Sequence, residues 1–324
     1  MHLLITGGAG FIGSHLVDTL LARGDAVTVL DDCSTGSLRN LAAVSGHARL
    51  TILHGSVCDE VLVDEACAKV DGVVHLAAAV GVQRILDKQV ASIVTNLRGT
   101  EVMLRAAQAH RSLPFLLAST SEIYGKQNRT PFREDDDSVF GASSLHRWSY
   151  ACSKLMDEFL ALAYHRERKL PVTIARFFNI TGPRQSPAYG MVLPRFCAAA
   201  KRGEALEVHG DGGQARCFLH VHDAVSAVLA LLGCAAACGK VVNIGSAEEI
   251  TMRALADRVV ATSGRSSSGS SSAVRLVPYA EAFPQGGFED MRRRVPDVSR
   301  LTSLTGWRQT LDLDATIRDC LATV

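Results

Sequence analysis

The sequence predicts an α/β fold: a doubly wound parallel sheet covered by helices on both faces, with a smaller α/β lobe at the C-terminal end. Three observations carry this expectation. Short apolar runs alternate with helix-length amphipathic stretches through the first half of the chain. A glycine-rich turn follows the first apolar run directly and opens a helical stretch. Beyond about residue 180 the alternation gives way to Gly- and Pro-rich loops between shorter elements, such as TGPRQSPAYG (181–190) and GDGGQ (210–214).

Taken in order, HLLIT (2–6) is the first strand, and FIGSHLVDTLLARG (11–24) sets Phe11, Ile12, Leu16, Leu20 and Leu21 at helical spacing. AVTVL (26–30), RLTIL (49–53), GVVHL (72–76), PFLLA (114–118) and VTIAR (172–176) read as further strands, with helices expected over 60–69, 89–110 and 146–168. Short apolar strands separated by helices indicate a parallel sheet buried on both sides. The expected division is a nucleotide-binding unit over 1–180, with later segments contributing to it, and a mainly substrate-binding lobe over 181–324. TSGRSSSGSSSA (262–273) has no period and reads as a flexible surface loop.

Composition narrows the partners. Lys and Arg total 34 against 33 Asp and Glu, a formal net charge of +1. Broad binding to nucleic acid or an anionic membrane needs a basic excess, so neither is expected. The nine cysteines form no CxxC pair, which suits reduced thiols in a cytoplasmic protein. Cys234 and Cys238 read as buried small side chains on one helical face, and no metal is expected. The apolar start runs straight into the glycine turn, unlike a signal peptide, and AVSAVLALLGCAAAC (224–238) is too short to cross a bilayer.

TGGAGFIGSH (6–15) places Gly7, Gly10 and Gly13 between the first strand and the first helix. The turn needs unusual dihedrals, a diphosphate must approach the backbone, and the helix must lie close to the strand; glycine answers all three. Asp31-Asp32 ends the second strand, where a carboxylate bonds ribose hydroxyls and repels a 2′-phosphate. The fold is therefore expected to be of the Rossmann type, and the cofactor NAD rather than NADP. In Tyr150-Ala-Cys-Ser-Lys154 both functional side chains share one helical face. A neighbouring ammonium favours the phenolate and so makes tyrosine a useful base.

The series TGGAGFIG, Asp31-Asp32, HLAA (75–78), TNLRGT (95–100), STSEIYG (119–125), YACSK, RFFNITGPRQ (176–185) and GDGGQARCFLHVHD (210–223) resembles the extended short-chain dehydrogenase/reductase family that acts on nucleotide sugars. The resemblance runs through RRRVPD (292–297). It implies bound NAD, held by Gly7, Gly10, Phe11, Ile12, Asp31, Asp32, Ser34, Thr35, Gly36, Ser56, Val57, Leu76, Ala77, Ala78, Asn96, Ser119 and Phe177, with Tyr150 and Lys154. It implies a UDP-sugar substrate, contacted by Val80, Gly81, Val82, Thr120, Ser121, Glu122, Tyr150, Asn179, Val192, Leu193, Val208, Arg216 and Arg294. It also implies a homodimer through the helices at 89–110 and 146–168.

In that family the shared first step is oxidation of the sugar at C4. On matching positions Tyr150 takes the hydroxyl proton, Thr120 hydrogen-bonds the hydroxyl, and Lys154 tunes Tyr150. Ser121 stands where 4,6-dehydratases carry an acid for the leaving hydroxyl, so dehydration is disfavoured. The whole-chain likeness points first to a 4-epimerase, with UDP-glucuronate to UDP-galacturonate the preferred conversion. Ser121-Glu122 and Arg294 keep UDP-glucuronate decarboxylation open, and epimerisation of UDP-glucose or UDP-N-acetylglucosamine is a further alternative. A non-catalytic binding protein is disfavoured because Thr120, Tyr150 and Lys154 are all present. Ser56 replaces the family's aspartate at the adenine, and Ser186 replaces an arginine found in some hexuronate epimerases. Arg292 and Arg293 are expected to be exposed charge, Glu134–Asp137 a solvated loop and helix start, and His220-Val-His222-Asp223 a helix start.

Overall fold

The structure, a computed structural model, describes residues 1–79, 89–186, 191–264, 273–282 and 291–324. Its first part comprises β1 (His2–Thr6), α1 (Phe11–Ala22), β2 (Ala26–Asp31), β3 (Leu50–His54), α2 (Glu60–Cys67), β4 (Gly72–His75), α3 (Gln89–Ala109), β5 (Phe115–Thr120), α4 (Trp148–Arg168) and β6 (Val172–Phe177). There follow β7 (Ile180–Thr181), α5 (Val192–Arg202), β8 (Leu206–His209), β9 (Ala215–Arg216), β10 (Leu219–His220), α6 (Val221–Leu232) and β11 (Lys240–Ile244). The chain ends with β12 (Ile250–Thr251), α7 (Met252–Thr262), β13 (Val274–Val277), α8 (Tyr279–Ala282), β14 (Arg293–Arg294), α9 (Ser299–Thr305) and α10 (Leu313–Thr323).

Seven strands make one parallel sheet in the order β11-β6-β5-β4-β1-β2-β3. Successive side chains point to opposite faces, so each strand feeds two cores. Leu3, Ile5, Val27 and Val29 pack with Leu16 and Leu20 of α1 and Val225 and Val228 of α6. Leu4, Leu30, Val73, Phe115 and Leu117 pack on the other face with Val63 of α2, Val102 and Leu104 of α3 and Ala161 of α4. Burial on both faces is why these strands read as unbroken apolar runs.

The doubly wound sheet is as the sequence predicts, with boundaries moved by one or two residues. β5 runs on to Thr120, which fixes Ser119 and Thr120 at the strand end. The seventh strand, β11, comes from beyond residue 181 and pairs with β6. The apolar stretch from 224 is α6, buried against α1. Cys234 and Cys238 do not share a helical face. The helix ends at Leu232, a short 3-10 turn follows, and Cys238 lies in extended backbone, with both side chains half-buried.

The smaller lobe packs α5, α7 and α10 around the β8–β13 pair, through Leu193, Phe196, Leu206, Leu255, Val259 and Ile317. Residues 265–272 of the expected serine-rich loop fall outside the described residues. The acidic run at 134–137 is not uniformly solvated, and no helix starts there. Glu134 is buried, accepts the Asn243 N–H at 3.0 Å and faces Arg300 at 3.6 Å, because this segment folds back onto β11. All nine cysteines are free, and no helix among the described residues is long and apolar enough to cross a membrane.

Candidate active site

The strand order reverses at β1, which pairs with β2 on one side and β4 on the other. Open α/β sheets bind ligands in the crevice beyond the strand ends at such a point. Two loops meet here. Gly7 has φ +70°, and a Cβ on it would lie 2.9 Å from Ala77 N, in the loop after β4. A Cβ on Gly13 would lie 2.2 Å from the Gly7 carbonyl oxygen. Glycine is thus required for the turn and for the approach of α1, whose start carries no side-chain cap. Uncapped N–H groups at a helix start suit an anion, so this cradle fits the diphosphate of a dinucleotide.

Asp31 fixes the loop edge, accepting Ala9 N–H at 2.9 Å and Cys33 N–H at 2.8 Å. Burial pushes its carboxyl up, and the two N–H bonds oppose that. Asp32 is exposed and accepts Ser34 N–H at 2.9 Å. Gly36 lies against the Ala9 backbone, with Thr35 half-buried in the same turn. Phe11 and Ile12 are half-buried in the first turn of α1, and Leu76, Ala77, Ala78 and Phe177 are half-buried at strand ends. Ser56 accepts Cys58 N–H at 3.1 Å, and Val57 is buried beside Gly99. Asn96 has both ends engaged, accepting Ala79 N–H at 2.8 Å and donating to Ser153 Oγ at 3.1 Å, so it ties the loop after β4 to α4. Val80, Gly81 and Val82 lie outside the described residues.

Thr120 accepts Glu122 N–H at 3.2 Å and hydrogen-bonds the Tyr150 phenol, which brings the expected Thr-Tyr pair together. Lys154, one turn further along α4, donates to Asp157 at 2.8 Å, with side-chain exposures of 3% and 0%. Burial pushes the Tyr150 phenol far above its ordinary range, and the Glu122 and Asp157 carboxylates push the same way. Asp157 was not singled out from the sequence, although its place three residues after Lys154 puts it on the same face.

Glu122 is the centre of an arginine cluster. It pairs with Arg294 and lies 3.4 Å from Arg147. Arg294 also donates to Asn179 Oδ1 at 2.6 Å, and the parallel register of β14 on β9 sets Arg294 beside the buried Arg216. Burial would raise the Glu122 carboxyl, but Arg147, Arg294 and Arg216 overcome it and bring it to about 2. Arg147 was missed by sequence reasoning, yet it stands one turn before Tyr150, a spacing that could have flagged it.

Other expected residues sit elsewhere. Leu193 and Val208, expected at the substrate, are buried in the core of the smaller lobe. Val192 is half-buried at the start of α5. Arg292 and Arg293 are exposed, paired with Asp211 and Glu249. His220 caps α6, while Asp223 accepts Thr310 and Leu311 N–H groups and anchors the C-terminal segment. No group of three metal-ligating side chains occurs among the described residues. Behind the site, Arg176 clamps Glu158 with bonds of 3.0 and 2.7 Å and donates to Tyr124 at 2.9 Å; Ser119 donates to the same Glu158.

A Rossmann-type sheet with a glycine cradle at its switch point, and a tyrosine and lysine one turn apart beside it, marks an enzyme of the extended short-chain dehydrogenase/reductase class. The chain belongs to the GDP-mannose 4,6 dehydratase family, which it matches over residues 4–320. It is 41% identical to a UDP-N-acetyl-α-D-glucosaminuronate decarboxylase of Bacillus cytotoxicus, over 95% of this chain and 94% of that one. Its fold is similar to a dTDP-glucose 4,6-dehydratase of Streptomyces venezuelae solved with NAD, with TM-score 0.87, 31% identity, and coverage of 99% and 96%. It is also similar to a UDP-glucose 4-epimerase of Thermotoga maritima solved with UDP-glucose, with TM-score 0.86, 26% identity, and coverage of 100% and 98%.

Proposed function

We propose that the protein is an NAD-dependent decarboxylase of a UDP-hexuronate, either UDP-glucuronate or its 2-acetamido counterpart. The observation that carries this reading is the convergence of Arg147, Arg294 and Arg216 on Glu122, next to the Thr120–Tyr150 pair. A uronate bears its carboxylate on C5, adjacent to the carbon being oxidised, and guanidinium groups beside the Thr120–Tyr150 pair suit such a carboxylate. The decarboxylase name of the Bacillus cytotoxicus relative supports the same chemistry.

Tyr150 takes the proton of the 4-hydroxyl, with Thr120 aligning that hydroxyl and Lys154 placed to favour the phenolate. Bound NAD supplies the acceptor, and later the donor, of the C4 hydride. The resulting 4-keto uronate is a β-keto acid. Its C5–carboxylate bond breaks, carbon dioxide leaves, and the electrons pass to the C4 oxygen, which Tyr150 and Thr120 hydrogen-bond. Arg294 and Arg147 hold the carboxylate until it departs, and Glu122 keeps both guanidinium groups in place. Arg216 serves the diphosphate, Asn179 the sugar, and Val192 the rim.

A second reading is 4-epimerisation, of UDP-glucuronate first and of UDP-glucose or UDP-N-acetylglucosamine after it. The likeness to the Thermotoga maritima epimerase favours it. The active unit is a homodimer: α3 exposes Val90, Val94 and Leu97, and α4 exposes Met156 and Phe159, an apolar face suited to a second copy. Sedimentation of a single monomeric species at micromolar concentration would contradict that. Incubating the pure protein with NAD and each UDP-hexuronate, followed by mass spectrometry, tests the reaction. A product lighter by carbon dioxide supports decarboxylation, whereas an isomer of unchanged mass favours the second reading.

A further inference from the structure

We propose that Asp157 is a positioning residue for the catalytic pair: it holds the Lys154 ammonium and offsets its charge at Tyr150, and so helps set the pH at which Tyr150 takes up a proton. The functional role of Tyr150 rests on the reading above; the charge relationship does not.

The geometry is a buried ion pair on one helix. Lys154 and Asp157 are three residues apart on α4, 2.8 Å apart in space and almost fully enclosed. Tyr150 lies one turn before Lys154 on the same face. The charged and polar groups around the three can be accounted for in turn. From β5, Thr120 meets the phenol. From the turn after β5 comes Glu122, answered by Arg147 and Arg294. Glu158, the other carboxylate near Asp157, is answered by Arg176. From α3, the Thr100 hydroxyl faces Asp157 and meets His75 Nε2 at 3.4 Å.

From β4, His75 lies behind Lys154, and burial together with that lysine lowers its pKa to about 3, so it is neutral at ordinary pH. Its Nδ1 is bonded to Thr6 at 2.8 Å. With the histidine neutral, Glu122 still raises the Tyr150 phenol in spite of its arginines, and Asp157 adds a second push in the same direction from beside Lys154. A lone ammonium would favour the phenolate, and the aspartate beside it offsets that bias. Asp157 is therefore more than a structural partner, because its negative charge reaches the tyrosine that its lysine is meant to activate.

The test uses the pure full-length protein without substrate. Tyrosine is labelled with carbon-13 in its ring, and Tyr150→Phe identifies the Tyr150 signal. Asp157→Asn is expected to lower the pH at which that signal titrates by about 1 unit, and Lys154→Gln to raise it by a similar amount. The double variant Lys154→Gln/Asp157→Asn, an uncharged pair of similar shape, should titrate near the wild type. The acid limb of the kcat/KM profile should move in the same direction in Asp157→Asn. A Tyr150 titration unmoved by Asp157→Asn would overturn the proposal. If that single variant does not fold, equal titrations for Lys154→Gln and the double variant overturn it instead. Because the ring titration needs no substrate, a wrong substrate assignment would silence only the kinetic readout.

Discussion

Arg294, on a two-residue strand of the smaller lobe, forms an ion pair with Glu122, on the turn after β5, and so closes the site across 172 residues of sequence. With its carboxyl held at about 2, Glu122 stays ionised throughout the neutral range and contributes no limb to the activity profile there. Arg294→Gln should release it, raise its pKa and bring an acid limb into view. The same variant should lower kcat/KM for a UDP-hexuronate by about tenfold to a hundredfold, the scale of a lost charged hydrogen bond. Kinetics from about pH 4 to about pH 9 check both. An unchanged kcat/KM would remove Arg294 from carboxylate binding.

Tyr150→Phe should lower turnover by at least about a hundredfold, the usual scale for losing a positioned acid–base group. Phenylalanine keeps the ring, so the variant should fold and retain its bound NAD. Steady-state rates and nucleotide content of the purified variant decide this. Near-normal turnover would mean that another group moves the proton.

His75 should make the protein sensitive to acid well before its carboxylates protonate. Burial holds the folded-state pKa near 3 against an ordinary 6.5, so the unfolded chain binds the extra proton between those values. The stability this implies is fully present above pH 6.5 and is lost as pH falls toward 3. Linkage puts the loss at about 2 kcal/mol by roughly pH 5. Urea unfolding of the wild type and His75→Gln at pH 7 and 5 tests this, and the variant should lose less stability on acidification. An equal loss in both would assign the acid sensitivity elsewhere.

Glu158→Gln should leave Arg176 buried with its charge uncompensated, at a cost of about 3–5 kcal/mol. The same network ties Ser119 and Tyr124 to the ends of the central strands, so the effect should appear as a lowered unfolding midpoint. A shift within error would show that the clamp contributes little.

Much of this architecture was legible in the sequence because its signals are local. Strand runs, the glycine turn and the Tyr150–Lys154 spacing each follow from residues within a few positions of one another. What escaped reading depends on long-range contacts. Nothing local in Glu134 says that it folds back onto Asn243, and only the β9–β14 register sets Arg216 beside Arg294. Val208 and Leu193 were expected at the substrate from the family resemblance, yet both side chains are buried in the core of the smaller lobe. Asp157 and Arg147 lay within one turn of Tyr150 or Lys154. They were legible in principle, since helical spacing alone brings them into contact range.

In the proposed reaction a C4 oxidation at Tyr150 is used to release the C6 carboxylate. It is tested most directly with UDP-glucuronate, and its 2-acetamido counterpart, carrying deuterium at C4. The expected product is lighter by carbon dioxide, retains the deuterium at C4 and carries a solvent proton at C5. A product of unchanged mass with inverted C4 would contradict decarboxylation and establish the epimerase reading. Complete inertness of both substrates would contradict the assignment of a UDP-hexuronate.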